Sequence, residues 1–306
     1  MVTIKEMAQE LGVSTTTVSN VIHGKTKEVS PANIERIQKI LKKYDYTPNI
    51  NARNLASKRS KIIGFLIKSK QNKIVNRFED PFIGGILGAI ERHVRQKGYY
   101  LMVYAVDDVH QVQQFTMSWN MDGLITSGFV EGDIRYLKER FKNPIAIIDD
   151  YDTNGLGNCA NIRIEDEQAE YLLTKYVISC GHRKLAFLAD NLVNLDKIRF
   201  QGFCRALKEA NIPVSKEENF IQIYSSDAGE PQNMDEIYEK SFSYTALLCA
   251  SDYYAVHIEN MLLDRGRKIP EEISIAGFDD VPISRIVRPA LTTVRQDIQA
   301  KGIAAV

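Results

Sequence analysis

The sequence predicts a small all-α segment followed by an α/β core of two lobes with parallel sheets. Three observations predict it. The first 47 residues carry three short helical periods separated by turn and capping signals. A polar stretch over 48–61 then interrupts the apolar pattern. From Ile62 onward, short apolar runs alternate with helical stretches, as in parallel sheets flanked by helices, and the run is too long for one sheet. The implied division is 1–47, then 48–61 as a hinge helix and linker, then the core at 62–306. Within the core, a first lobe takes about 62–160 plus 292–306, and a second about 161–291.

A first helix runs from about Thr3 to Leu11, with Ile4, Met7, Ala8 and Leu11 on one face. Gly12-Val13 makes a tight turn, with Gly12 suited to left-handed backbone. Ser14 is a natural N-cap for a second helix, and Gly24 sits just past its end. Val18, Val21 and Ile22 recur at helical spacing, leaving Thr15, Thr16, Ser19, Asn20 and His23 on the other faces. Ser30-Pro31 opens a third helix whose apolar residues are Ile34, Ile37, Leu41 and Tyr44. Three short helices with a tight first turn make a helix-turn-helix headpiece. Hydroxyls and amides without long charged stems suit a helix laid in the DNA major groove, where base edges are read by hydrogen bonds and methyl contacts. A small helical domain for protein contacts is the alternative.

Composition fits this division. The chain has 306 residues, 44% hydrophobic and 25% charged, enough for a large core. Net charge is zero, but residues 1–61 hold eleven Lys/Arg against five Asp/Glu, so a basic end at +6 precedes an acidic body at −6. Cys159, Cys180, Cys204 and Cys249 form no Cys-x-x-Cys pair, which argues against zinc and a disulfide framework and for reduced thiols in a cytoplasmic protein. Met1 leads straight into an amphipathic helix, without a signal peptide, and no apolar run approaches membrane-spanning length. In the polar stretch, Pro48 can start a short helix, and Leu55 is its one large apolar residue. The stretch reads either as a plain linker or as a segment that folds on DNA with Leu55 wedged between base steps of the minor groove.

In the core, strands are expected at Ile62–Ile67, Tyr100–Val106, Gly123–Thr126, Ile145–Asp149, Leu185–Ala189, Phe220–Tyr224, Ala246–Ala250 and Ile273–Phe278. Helices are expected at Phe82–Lys97, Glu167–Ser179, Asp196–Ala210 and Asp252–Arg265. Ligands of such folds bind at the carboxyl ends of strands, where Asp149, Asp150, Ser251, Asp252, Asp279 and Asp280 stand.

Enzyme signatures are weak. There is no phosphate loop and no Gly-x-Ser-x-Gly elbow, and Gly84, Gly85 and Gly88 read as helix packing. Adjacent strand residues point to opposite faces, so each aspartate pair offers one member to a site, which favours hydrogen bonding over two-carboxylate catalysis. Arg199 can fork two hydrogen bonds to hydroxyls or a carboxylate, or be a surface arginine. His182 reads as a turn residue and Trp119 as a structural one.

The chain resembles the LacI/GalR family of transcriptional repressors over essentially its whole length. The resemblance rests on Thr3-Ile4-Lys5 through Ser19, on Tyr46-Thr47-Pro48-Asn49 with Ala52-Arg53-Asn54-Leu55, and on Gly181-His182-Arg183. It continues through Arg199-Phe200-Gln201-Gly202-Phe203, Gly277-Phe278-Asp279-Asp280 and Leu291 to Asp297. It implies a headpiece, a hinge helix and a core like periplasmic sugar-binding proteins. It implies base reading by Thr15, Thr16 and Asn20, with Ser14, Thr17, Ser19 and His23 near phosphates or groove edges. The hinge wedge falls on Leu55, beside Ala52, Arg53 and Ala56. Effector positions fall on Phe82, Asp149, Arg199, Ser251, Asp279 and Gln296. Ser251 stands where many sugar-binding members carry asparagine. The implied partners are double-stranded operator DNA, a small effector such as a sugar, and a second copy in a homodimer; no catalytic residue, metal or cofactor is implied. Because members continue past the helix after Asp297, the C-terminal end reads as truncated. A binding module with an inactive headpiece and an α/β hydrolase are the rival readings.

Overall fold

The computed structural model describes residues 2–47, 59–68, 78, 80–150, 157, 159–224 and 231–306. It forms two compact units, Met1–Ser60 and Lys61–Val306. The hinge candidates Ala52, Arg53, Leu55 and Ala56 lie outside the described residues.

The first unit holds α1 (Ile4–Leu11), α2 (Thr15–Ile22) and α3 (Pro31–Lys43). Thr3 and Glu6 close a reciprocal capping box at the start of α1, and Gly12 ends it at φ 66°, as the tight turn requires. Met7, Ala8, Val18, Val21, Ile37 and Ile40 bury one small core, drawn from all three helices. Polar ties add to it. Arg36 donates to the Leu11 carbonyl at 2.9 Å, and Lys43 and Tyr44 both donate to Glu10, at 2.8 and 2.7 Å.

The second unit contains β1 (Ile62–Lys68), α4 (Pro81–Gln96), β2 (Tyr100–Val106), α5 (Val109–Trp119), β3 (Gly123–Ser127), α6 (Glu131–Arg140), β4 (Ile145–Ile148) and β5 (Cys159–Ile162). It continues with α7 (Asp166–Ser179), β6 (Leu185–Ala189), α8 (Asn194–Glu209), α9 (Lys216–Asn219), β7 (Phe220–Gln222), α10 (Met234–Ser241) and β8 (Ala246–Cys249). Last come α11 (Asp252–Asp264), β9 (Ser274–Asp279), a 3-10 turn (Pro282–Arg285), β10 (Thr292–Arg295) and α12 (Ile298–Ala304).

Among the described residues, two five-stranded sheets result, ordered β2-β1-β3-β4-β5 and β10-β9-β8-β6-β7, every pair parallel. Read from the other edge, the second order repeats the first. Each sheet therefore reverses direction once, between its first and third strands, the position where open α/β sheets bind ligands beyond their carboxyl ends. Helices cover both faces, so β3, β6 and β8 are buried throughout and carry no polar alternation.

Two strands escaped the apolar-run reading. β5 (Cys-Ala-Asn-Ile) and β10 (Thr-Thr-Val-Arg) are short edge strands with little apolar content. β10 also changes lobe: residues 292–295 were expected in the first lobe, yet they pair with β9 in the second sheet. Only α12 packs with the first lobe, against α4. That contact needs glycine. A Cβ on Gly302 would lie 2.5 Å from the Ala89 Cβ, and one on Gly85 would lie 3.1 Å from Ile298. Gly88 meets nothing, so the packing reading of the three α4 glycines holds for Gly85. Trp119, read as structural, is half exposed at the end of α5. No helix among the described residues is long and apolar enough to cross a membrane.

Candidate nucleic-acid interface and interlobe site

The candidate nucleic-acid face is built on α2. Ser14 Oγ accepts from the Thr17 backbone N–H at 3.0 Å and lies 2.8 Å from Thr17 Oγ1. At the other end, His23 Nδ1 is 2.7 Å from the Ser19 carbonyl oxygen. Ser14, Thr17 and His23 thus serve the helix's own ends. Val18 and Val21 face the core. Thr15 and Thr16 are exposed, and Ser19 and Asn20 are half-buried. Among the described residues, the side chains of these four have no hydrogen-bond partner. A helix with no charge in its eight residues therefore presents hydroxyls and one amide ready to pair with another molecule.

The second candidate site gathers at the carboxyl ends of the two sheets. Asp149 follows β4 in left-handed backbone (φ 59°), and Asp279 ends β9 at φ 126°. Strand alternation therefore does not decide which members of the aspartate pairs face the site. Partners do. Asp279 and Asp149 enter the buried network described below, whereas Asp280 turns to Arg285, whose guanidinium holds its carboxyl below the usual range.

Arg199 projects from α8 and is 3% exposed. Its Nε and a terminal nitrogen both reach Asp166 Oδ1 at 2.9 Å. Its plane lies over the Phe278 ring at 3.6 Å, and Asp279 Oδ1 is 4.0 Å away. A buried guanidinium held this way is pre-oriented, not a surface charge. Gln296, in the crossover between lobes, donates to Asp279 Oδ1 at 2.6 Å. Its own carbonyl oxygen accepts from Lys301 Nζ at 2.6 Å. Lys301 also donates to both oxygens of Asp149, at 2.7 and 2.9 Å, and lies 5.3 Å from the centroid of the Phe82 ring. One hydrogen-bonded path thus runs from Asp149 through Lys301 and Gln296 to Asp279, with Arg199 and Asp166 beyond. Of the six positions singled out, Asp149, Gln296, Asp279, Arg199 and Phe82 converge here. Ser251 caps α11 instead, accepting from the Tyr254 N–H at 3.3 Å, and Arg199 donates to the carbonyl of neighbouring Ala250.

Burial dominates the electrostatics. It pushes the Asp279 carboxyl up to about 8 against the pull of Arg199. It does the same to Glu170, one turn after Asp166, also up to about 8. The Asp149 carboxyl is raised by burial and pulled back by Lys301. Lys301, Asp166 and Glu170 were not singled out from the sequence. The signal was available: Asp166, Glu170, Leu173, Thr174 and Val177 form one buried stripe on α7, and Lys301 and Gly302 are the buried residues of α12. A charged residue on an apolar stripe marks a buried polar network.

Comparison with known proteins follows the same division. A family model described as bacterial regulatory proteins, lacI family, matches residues 3–49, and a periplasmic binding protein-like domain matches 174–306. The HTH-type transcriptional repressor PurR of Actinobacillus pleuropneumoniae is 30% identical over 313 residues, covering 100% of this chain and 89% of that protein. The ribose operon repressor of Haemophilus influenzae is 29% identical over 314 residues, covering 100% and 90%. Among solved structures, the lac repressor dimer bound to operator and the anti-inducer ONPF superposes with a TM-score of 0.84 at 25% identity, over 100% of this chain and 90% of that one. With sequence, headpiece and both lobes in agreement, this chain belongs to the lacI family of bacterial regulatory proteins, DNA-binding transcriptional repressors with an effector-binding domain and not enzymes.

Proposed function

We propose that this chain represses transcription in the bacterial cytoplasm as a homodimer on a near-palindromic operator, released or engaged by a small effector. The observation that carries the reading is the α2 face, where the side chains of Thr15, Thr16, Ser19 and Asn20 have no partner among the described residues while the apolar side is locked into a three-helix core. Thr15, Thr16 and Asn20 read bases. Ser14, Thr17, Ser19 and His23 sit near phosphates and groove edges, Ser14 and Thr17 also shaping the N-terminal end of α2. Leu55, with Ala52, Arg53 and Ala56 beside it, wedges the minor groove. The effector, a sugar or related metabolite, binds among Phe82, Asp149, Arg199, Ser251, Asp279 and Gln296. It acts by binding one relation of the lobes better than the other.

Operator selection from randomised duplexes, followed by gel shift, tests the DNA half. A preferred palindrome is expected, and Leu55→Ala should lower affinity and reduce DNA bending. Binding of all duplexes alike would refute sequence-specific repression. Thermal-shift screening against sugars, sugar phosphates and purines tests the effector half, since a ligand selective for the native state raises its apparent stability. Asp279→Asn should abolish the response to whichever compound scores, with operator affinity retained.

A further inference from the structure

Three of the six proposed effector positions are touched from within by one side chain. Lys301 is 5% exposed. An ammonium has three donors, and three acceptor contacts surround this one: both Asp149 oxygens and Gln296 Oε1. Its ammonium lies over the Phe82 ring, 5.3 Å from the centroid. The position is fixed from behind, because Gly302, the next residue, brings α12 into direct contact with Ala89 of α4. Lys301 is therefore held in the site by helix packing and is not a surface lysine folded inward. Its partners matter equally. Asp149 is the buried carboxylate that first-lobe recognition of a hydroxyl would use, and each of its oxygens already accepts from the ammonium. The Gln296 side-chain oxygen accepts from Lys301, and one of its amide N–H groups donates to Asp279.

We propose that Lys301 is the specificity-determining residue of the interlobe site: its ammonium occupies the acceptor positions of Asp149 and Gln296 that a neutral hydroxylated ligand would fill, so the chain discriminates against neutral monosaccharides. The proposal rests on the reading that the effector binds between the lobes. A neutral sugar that takes the positions the ammonium occupies must break a charge-assisted contact and leave a buried ammonium without its counter-ion, a larger loss than its own hydroxyl hydrogen bonds return. The selected effector is then one whose recognition runs mainly through the second-lobe side, through Arg199 and Asp279.

Isothermal titration of the full chain with D-ribose, D-glucose and D-galactose tests this. K301M removes the ammonium and keeps an unbranched apolar stem. It should bind at least one of these aldoses about tenfold or more tightly than wild type, the worth of a recovered hydrogen bond to a charged acceptor. K301M/D149N should lose most of that gain, which general loosening of the site would not reproduce. If the unpaired Asp149 prevents K301M from folding, K301Q leaves one carboxylate oxygen free and should show the same preference in smaller measure. The proposal is overturned if wild type already binds an aldose as tightly as the variants, or if no variant gains for any of the three. Failure of the interlobe reading looks different: D279N would then leave the response to the screened effector intact. Loss of that response in D279N with unchanged selectivity in the Lys301 variants rejects Lys301 alone.

Discussion

Thr16 and Asn20 differ from Ser14 and Thr17 in what already holds them. Ser14 and Thr17 bond each other, whereas Thr16 and Asn20 have free polar groups among the described residues. Thr16→Ala and Asn20→Ala should therefore alter preference at one or two operator positions, each by about 1–3 kcal/mol, as operator selection would read it. Ser14→Ala should instead lower headpiece stability by about 1 kcal/mol through loss of the cap, measured by thermal unfolding of the full chain. In the core, the carboxyls of Asp279 and Glu170 stand at about 8 in the folded protein, against ordinary values of 3.8 and 4.5. The native state then keeps protons that the unfolded chain gives up near pH 4. Their contribution to stability is full below that pH and is lost as pH rises towards about 8. Thermal unfolding of the core should show its midpoint falling over this window. Asp279→Asn with Glu170→Gln should flatten the slope, and an unflattened slope would assign it to other groups.

At the scale of the element, helices were the more legible part. α1, α2 and α3 announce themselves by caps and stripes, because a short helix needs a side chain to satisfy its end and a face to bury. Ile37→Ala, at 0% exposure in a core of six buried residues, should cost about 2–5 kcal/mol and lower operator affinity by unfolding the headpiece. Melting of the headpiece signal on titration with denaturant would measure it. Central strands were also legible, since a strand covered on both faces must be a continuous apolar run. β5 and β10 were not: at a sheet edge, pairing decides, and their polar residues fit a strand only once β4 and β9 are in place. α5, α6 and α10 went unassigned for a related reason, as their stripes are narrow and interrupted by polar residues.

For the whole molecule, the basic N-terminal end on an acidic body predicts how binding responds to salt. A dimer neutralising several phosphates should lose roughly 10³-fold or more in operator affinity between about 50 and about 200 mM salt, with a slope that Arg53→Ala makes shallower if that residue contacts a phosphate. Filter binding across a salt series gives the slope directly. The order of parts, the helix-turn-helix, the two parallel α/β lobes and the family were determined by the sequence alone, because caps, periods and turn residues act over a few neighbours and survive without tertiary context. The lobe that owns residues 292–295, the aspartate of each pair that enters the interlobe network, and the insertion of Lys301 between Asp149 and Gln296 were decided only by the tertiary structure. Each depends on groups as many as 152 positions apart in the chain meeting in a low-dielectric interior, where a charge is tolerated only if its partners arrive with it.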